Sequence, residues 1–184
     1  MIILINGSFG VGKTTVARLL QRSIRRSIIF DPEWFGWLIK YAPTWMRLAG
    51  SGTDDYQDIA LWRRSVVAGA RLFRAMARGP VIIPMAFSRR DYFDQIVAEI
   101  LRFDKEVKVY CLQAELTTIL RRLELRDANR DPQQREWALK KVRECVDSHR
   151  DDHFGEPIDT ENSDAAQVAV EILSRIRKPQ CDSN

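Results

Sequence analysis

The sequence predicts an α/β fold of the doubly wound kind, with five parallel strands in one sheet and helices on both faces. Three observations carry that expectation. Five short apolar runs alternate with amphipathic stretches along the chain, the pattern left by repeated β-α units. The runs are continuous rather than alternating in polarity, as in strands covered on both sides. A glycine-rich segment stands between the first run and the first amphipathic stretch, at the carboxyl edge where such sheets bind ligands.

Taken in order, the strands are expected at Ile2–Asn6, Ser27–Phe30, Val81–Pro84, Val107–Leu112 and Glu156–Asp159. Helical spacing recurs in Val16, Leu19, Leu20 and Ile24, in Ile59, Trp62, Val66, Ala70 and Phe73, and in Phe93, Ile96, Val97, Ile100 and Leu101. It returns in Leu116, Ile119, Leu120 and Leu123 and in Val168, Ala169, Ile172, Leu173 and Ile176. Ser88 with Asp91, and Ser163, are the expected helix-start residues. No repeat or linker divides the 184 residues. Residues 1–177 are therefore expected as one domain with a lid at about 126–135, followed by a short tail at 178–184.

A composition of 45% hydrophobic and 29% charged residues is that of a globular protein and excludes a disordered or fibrous one. The net charge of +4 is not gathered into one tail. That argues against nucleic acid as partner and suits a protein that handles phosphates. Cys111, Cys145 and Cys181 are odd in number and lack C-x-x-C spacing, so neither a disulfide framework nor a zinc site is expected. The apolar start Met1–Ile5 is too short for a signal or a membrane span. A cytoplasmic protein without stable membrane insertion is expected, and nothing in the sequence speaks to its oligomeric state.

Gly7-Ser8-Phe9-Gly10-Val11-Gly12-Lys13-Thr14 fits G-x-x-x-x-G-K-[ST] without a mismatch. The glycines let successive N–H groups turn inward on phosphate oxygens, and the following helix aims its positive end at the same anion. Lys13 is expected to reach the β- and γ-phosphates of ATP, and the Thr14 hydroxyl to ligate Mg2+. Thr15, the next residue, completes the expected nucleotide contacts.

Arg121, Arg122 and Arg126 lie on the fourth periodic stretch, and Arg130 and Arg135 follow across a polar segment containing Pro132. That is the pattern of a mobile, arginine-rich lid, with Arg126 the expected contact to the transferring group. By itself it also fits a solvated basic helix face. Asp31-Pro32-Glu33 follows the second strand. Asp31 can serve there as a base for an attacking hydroxyl, or merely cap a helix. Trp34, Trp37, Trp45 and Trp62, with Tyr41 and Tyr56, are dense enough to form an apolar acceptor pocket as well as core. Asp31, Trp34, Trp62 and Met85 are expected to bound that pocket. Arg63 either grips an anionic group of the acceptor or stands exposed.

The third strand ends Val81-Ile82-Ile83-Pro84-Met85 and lacks the magnesium-ordering aspartate of many phosphate-loop enzymes. An N-K-x-D signal is also missing, so a motor or a guanine switch is not expected. His149 and His153, beside Asp151 and Asp152, are expected at the surface with no role.

Together the phosphate loop, Asp31-Pro32-Glu33, Leu61-Trp62-Arg63, Pro84-Met85, Asp91-Tyr92-Phe93, the Leu120–Arg126 segment and Ile158-Asp159-Thr160-Glu161-Asn162 resemble the tunicamycin-resistance proteins. The likeness runs from Ile2 to about Ile176. It implies a nucleoside-monophosphate-kinase-like fold, ATP binding, and protection against tunicamycin, a lipid-modified uracil nucleoside. It also implies kinship with phosphotransferases that inactivate antibiotics, and it would put Asp159-Thr160-Glu161 near the adenine. The expected activity is γ-phosphoryl transfer from ATP to a hydroxyl of a nucleoside-like small molecule. A sequestering protein that binds without transfer and a small-molecule metabolic kinase are the alternatives.

Overall fold

The computed structural model describes residues 1–32, 56–126, 132–150 and 152–177, with 56 and 132–138 as backbone alone. Five strands form one sheet: β1 (Ile2–Gly7), β2 (Ile28–Ile29), β3 (Val81–Pro84), β4 (Val107–Gln113) and β5 (Glu156–Asp159). Their order across the sheet is β2-β3-β1-β4-β5, and every pairing is parallel. The helices are α1 (Lys13–Ser23), α2 (Ala60–Met76), α3 (Arg90–Leu101), α4 (Leu116–Arg126), α5 (Pro132–Ser148) and α6 (Ala165–Arg177). The predicted doubly wound sheet is the observed one.

The strand residues explain the layers. All six residues of β1 are buried, and because successive side chains point to opposite faces, Ile3 and Ile5 enter one core while Ile2 and Leu4 enter the other. The first core takes Val16, Ala17 and Leu20 of α1, Ile119 and Leu123 of α4, and Val168 and Ile172 of α6. The second takes Trp62, Val66 and Ala70 of α2 and Phe93, Ile96 and Ile100 of α3. Each large side chain so buried contributes roughly 1.5–3 kcal/mol. The two ends of the sheet are blunt: β2 has two residues, and β5 carries Pro157, which an edge strand tolerates because its N–H is not needed on both sides.

Helix starts differ from expectation in two places. Asp164, not Ser163, caps α6, its Oδ1 accepting the N–H groups of Ala166 and Gln167 at 2.8 Å each. At α3 the flanking residue is Arg89 without a side-chain cap, while Asp91 lies in the first turn and pairs with Arg89 at 2.8 Å. A first-turn carboxylate answers the helix dipole without capping it.

One glycine fixes a piece of the functional edge. Gly69 stands inside α2, where a Cβ would lie 2.4 Å from Cζ of Phe30. Only glycine admits that ring, which also packs on Phe73 at 4.8 Å between centroids. Phe30 is held further by its N–H to the Ile82 carbonyl at 2.9 Å. The next residue is Asp31, so the packing of α2 on the sheet sets where that carboxylate leaves it.

Candidate active site

The carboxyl ends of the strands gather the candidate groups on one edge. β1 delivers the phosphate loop, β2 delivers Asp31, β3 leads to Met85, Ala86 and Phe87, β4 to Gln113, and β5 to Asp159 and Glu161. From β1 the chain crosses to β2 on one side and later to β4 on the other, which opens a crevice at the end of β1.

The loop itself is shaped for an anion. Gly10 and Gly12 have φ of 83° and 109°, a left-handed region that favours glycine. A Cβ on Gly12 would meet nothing within 4 Å, so open space lies over the loop there. Behind it α1 starts with no capping side chain and no acidic residue in its first turn. Its leading N–H groups and the positive end of its dipole therefore face the loop without a side chain to answer them. Lys13 is 7% exposed and donates from Nζ to the Ser8 carbonyl at 2.9 Å. Thr14 and Thr15 are exposed on the first turn, where the Thr14 hydroxyl would be free to serve as an oxygen ligand to a hard cation. Among the described residues no group of three His, Cys, Asp or Glu side chains converges on a metal. A magnesium ion brought by a nucleotide would find the Thr14 hydroxyl as an oxygen ligand here.

Beside the loop lies a cleft of about 400 Å³, lined among others by Ser8, Gln113, Glu115, His149, Asp159 and Glu161. The Thr160 N–H and hydroxyl both donate to the Gln113 carbonyl, at 2.8 and 2.9 Å. Glu161 accepts from the Thr118 hydroxyl at 2.5 Å and the Glu115 N–H at 2.9 Å. Those two bonds, the hydroxyl first, hold its carboxyl below the usual range. Arg122 donates to the Thr160 carbonyl at 2.6 Å. Arg122 therefore ties α4 to the β5–α6 loop; Arg126, the first residue of the expected lid, ends α4, and the last part of that lid, 132–135, is the first turn of α5.

On the other side of the crevice the sequence reading needs revision. Trp62 and Met85 are 1% and 2% exposed and belong to the core with Phe30 and Val66. They are interior rather than open walls, because α2 turns its apolar face onto the sheet. Arg63 is engaged structurally: Nη1 donates to the Gln57 carbonyl at 2.6 Å, Nε to Gln95 at 2.9 Å, and the guanidinium lies 4.1 Å from the Tyr92 ring centroid. Arg89 covers that ring at 4.2 Å, and the Tyr92 hydroxyl donates to Asp58 at 2.8 Å. Asp31 is half-buried at the edge of the sheet. Trp34, Trp37, Tyr41 and Trp45, the expected lid beyond Arg126 up to 131, and the tail at 178–184 lie outside the described residues.

The expectation of a surface residue is overturned for His149 and not for His153. His149 is 3% exposed and lies in hydrogen-bonding contact with the Phe87 carbonyl at 2.5 Å. Burial, with the charge of Lys13 adding to it, pushes its pKa down to about 4, so the ring is neutral near pH 7. His153 is exposed, as expected, and contacts Asp94 at 2.8 Å. Neighbouring Asp151 and Asp152 suggested a solvated stretch, but α5 ends by turning His149 inward. Asn6 was missed as well: its Oδ1 accepts the Phe87 N–H at 2.9 Å. A polar residue ending an apolar strand was the available signal.

A family model described as an AAA domain matches residues 2–148. The chain belongs to this family. No curated protein matches the sequence. Among solved structures it is similar to a tunicamycin resistance protein from Deinococcus radiodurans, at 26% identity and a TM-score of 0.72, covering 95% of this chain and 94% of that one. The same fold occurs in a gluconokinase from Sinorhizobium meliloti, at 16% identity and 0.64, covering 95% and 90%. It occurs again in a shikimate kinase from Acinetobacter baumannii, at 20% and 0.58, covering 95% and 92%. This AAA-domain chain thus has a P-loop, kinase-like fold, and the resemblance drawn from its motifs extends over nearly its whole length.

Proposed function

We propose that this protein transfers the γ-phosphoryl group of ATP to a hydroxyl of a nucleoside-like small molecule, with tunicamycin as the candidate acceptor. The observation that carries the reading is the open phosphate loop, with Lys13 folded against its base and an uncapped helix behind it. The likeness to a tunicamycin resistance protein at 26% identity supports the choice of acceptor.

Residues 1–177 act as one domain in this reading, with the lid at about 126–135. Asp31 and the loop leave strands two apart in the sheet, roughly 9–10 Å at the usual strand spacing. An acceptor held over the end of β3 would lie between them. Asp31 takes the proton of the acceptor hydroxyl, the oxygen forms a bond to the γ-phosphorus, and the bond to the bridging oxygen of the departing diphosphate breaks. Lys13 and Arg126 offset charge on the transferring group. Magnesium held at Thr14 supplies further charge when bound. The cleft bounded by Asp159, Glu161 and Gln113 takes the base.

Incubating the purified protein with tunicamycin and Mg-ATP should yield antibiotic heavier by one phosphoryl group and an equivalent of ADP, read by mass spectrometry. One observation favours a second reading: β3 runs into Pro84 and Met85 with no carboxylate for magnesium. If the protein instead sequesters the antibiotic, calorimetry will show binding tightened by a nonhydrolysable ATP analogue while the mass of the antibiotic never changes.

A further inference from the structure

Three parts of the candidate site meet at one peptide group. Phe87 lies in the loop between β3 and α3, on the acceptor side. Its N–H donates to Asn6 Oδ1 at 2.9 Å, and Asn6 immediately precedes the first glycine of the phosphate loop. Its carbonyl lies 2.5 Å from His149 Nε2, and His149 follows the last residue of α5, the helix that starts within the expected lid. A carbonyl only accepts, so Nε2 carries the proton and donates. The Asn6 amide nitrogen, 3.4 Å from the same Nε2, then faces another donor and makes a packing contact only.

The junction is built to stay in place. The His149 carbonyl accepts Gln113 Nε2 at 2.5 Å, which fixes the end of α5 to β4. The imidazole packs edge-on to Phe154 at 5.0 Å, Phe154 on Phe93 at 5.3 Å, and Phe93 on Phe87 at 5.8 Å. A buried donor and acceptor so enclosed are costly to separate, since neither finds water.

We infer that His149 is a positioning residue, whose Nε2–H holds the Phe87 carbonyl and with it the acceptor-side loop at a fixed place relative to the phosphate loop. The inference rests on the phosphotransferase reading above. Its physical force is geometric: a reactant displaced by about 1 Å can lose about a hundredfold in rate. A slack β3–α3 loop permits that displacement, and its effect falls on the acceptor more than on the nucleotide.

Two variants separate this role from general stability. His149→Gln keeps an N–H donor of similar reach, whereas His149→Met fills similar space without one. With tunicamycin as acceptor, the Met variant should raise its KM about tenfold or more and lower kcat; because His149 also lines the cleft beside Gln113, the nucleotide Kd should rise by a smaller factor, about threefold at most. The Gln variant should restore both to within about threefold of the parent. Hydrogen exchange of residues 85–89 should quicken in the Met variant and not in the Gln variant, with the other strands unchanged. In the parent protein, nitrogen NMR should find the His149 ring neutral and protonated at Nε2. Unchanged KM and unchanged exchange in the Met variant overturn the inference, as does an equal loss of nucleotide affinity. Should the parent protein transfer nothing to tunicamycin, the phosphotransferase reading falls, and exchange and tautomer decide alone. Selective quickening then supports the positioning role, and an Nδ1-protonated ring rejects it.

Discussion

Lys13 illustrates how a single side chain is stored ready for use. An ammonium this well buried is costly unless bonded, and the Ser8 carbonyl at 2.9 Å and the Phe9 ring at 5.4 Å answer it in part. Phosphate oxygens in the loop would replace those partners with a full opposite charge. Lys13→Ala should therefore cut kcat by about a hundred- to a thousandfold and weaken nucleotide binding. Steady-state turnover and calorimetry on the purified variant check both, and unaltered turnover would remove the loop from the mechanism. Asp31 sits differently, since under the proposed transfer it would accept a proton rather than bind. Asp31→Asn keeps shape and hydrogen-bonding reach but deletes the basic oxygen. Transfer should disappear while nucleotide affinity stays within about threefold and folding is retained; substantial remaining transfer reduces Asp31 to a structural role.

Elements transmit these residues to each other through close contacts that periodicity alone does not reveal. The phosphate loop touches α4 at Gly10, where a Cβ would fall 2.8 Å from Leu123 Cγ and 3.4 Å from Ile119 Cγ2. Gly10→Ala must both adopt φ near 83°, costing about 1–2 kcal/mol, and push on α4, whose last residue is Arg126. For a chain of this size the melting temperature should fall by about 5 °C or more, with a larger fractional loss in turnover than a surface substitution of equal cost produces. Thermal unfolding followed by circular dichroism, beside the turnover assay, tests the pairing of the two effects. Element positions themselves were largely legible in the sequence. β3 and β5 begin and end as expected; for β3 the reason is that a short apolar run bounded by glycine and polar residues has few alternatives. Helix caps were less legible, since Ser163 and Asp164 are adjacent and equally able to cap, and only the direction of the chain chooses between them.

At the scale of the whole molecule, the buried imidazole couples stability to pH. The folded state keeps His149 neutral to about pH 4, against an ordinary value of 6.5, while the unfolded chain protonates it below about 6.5. The unfolded state thus binds more protons as pH falls through that window. Stability from this group is complete above about pH 6.5 and is lost progressively toward pH 4, a change of about 3 kcal/mol at most. Urea unfolding near neutrality and near pH 5 should show the loss, and His149→Gln should flatten it. An equally steep loss in that variant would assign the acid sensitivity to other groups. Among the described residues no helix is long and apolar enough to cross a membrane. The five-stranded sheet places nucleotide and acceptor candidates along a single edge.

The sequence by itself determined the strand order along the chain, the phosphate loop and the carboxylate after the second strand. Those are local matters: residue spacing dictates helix or strand, and a phosphate cradle needs glycines, lysine and threonine within eight positions. Tertiary structure alone decided that Trp62 and Met85 are core, that Arg63 and Arg122 bind backbone carbonyls, and that His149 is an interior residue. Each depends on which groups meet across many residues. Asn6 and His149 are 143 positions apart and touch, because parallel strands return every chain crossing to the same edge. Side-chain type fixes what a group can donate, accept or bury, and the fold alone fixes what stands opposite it.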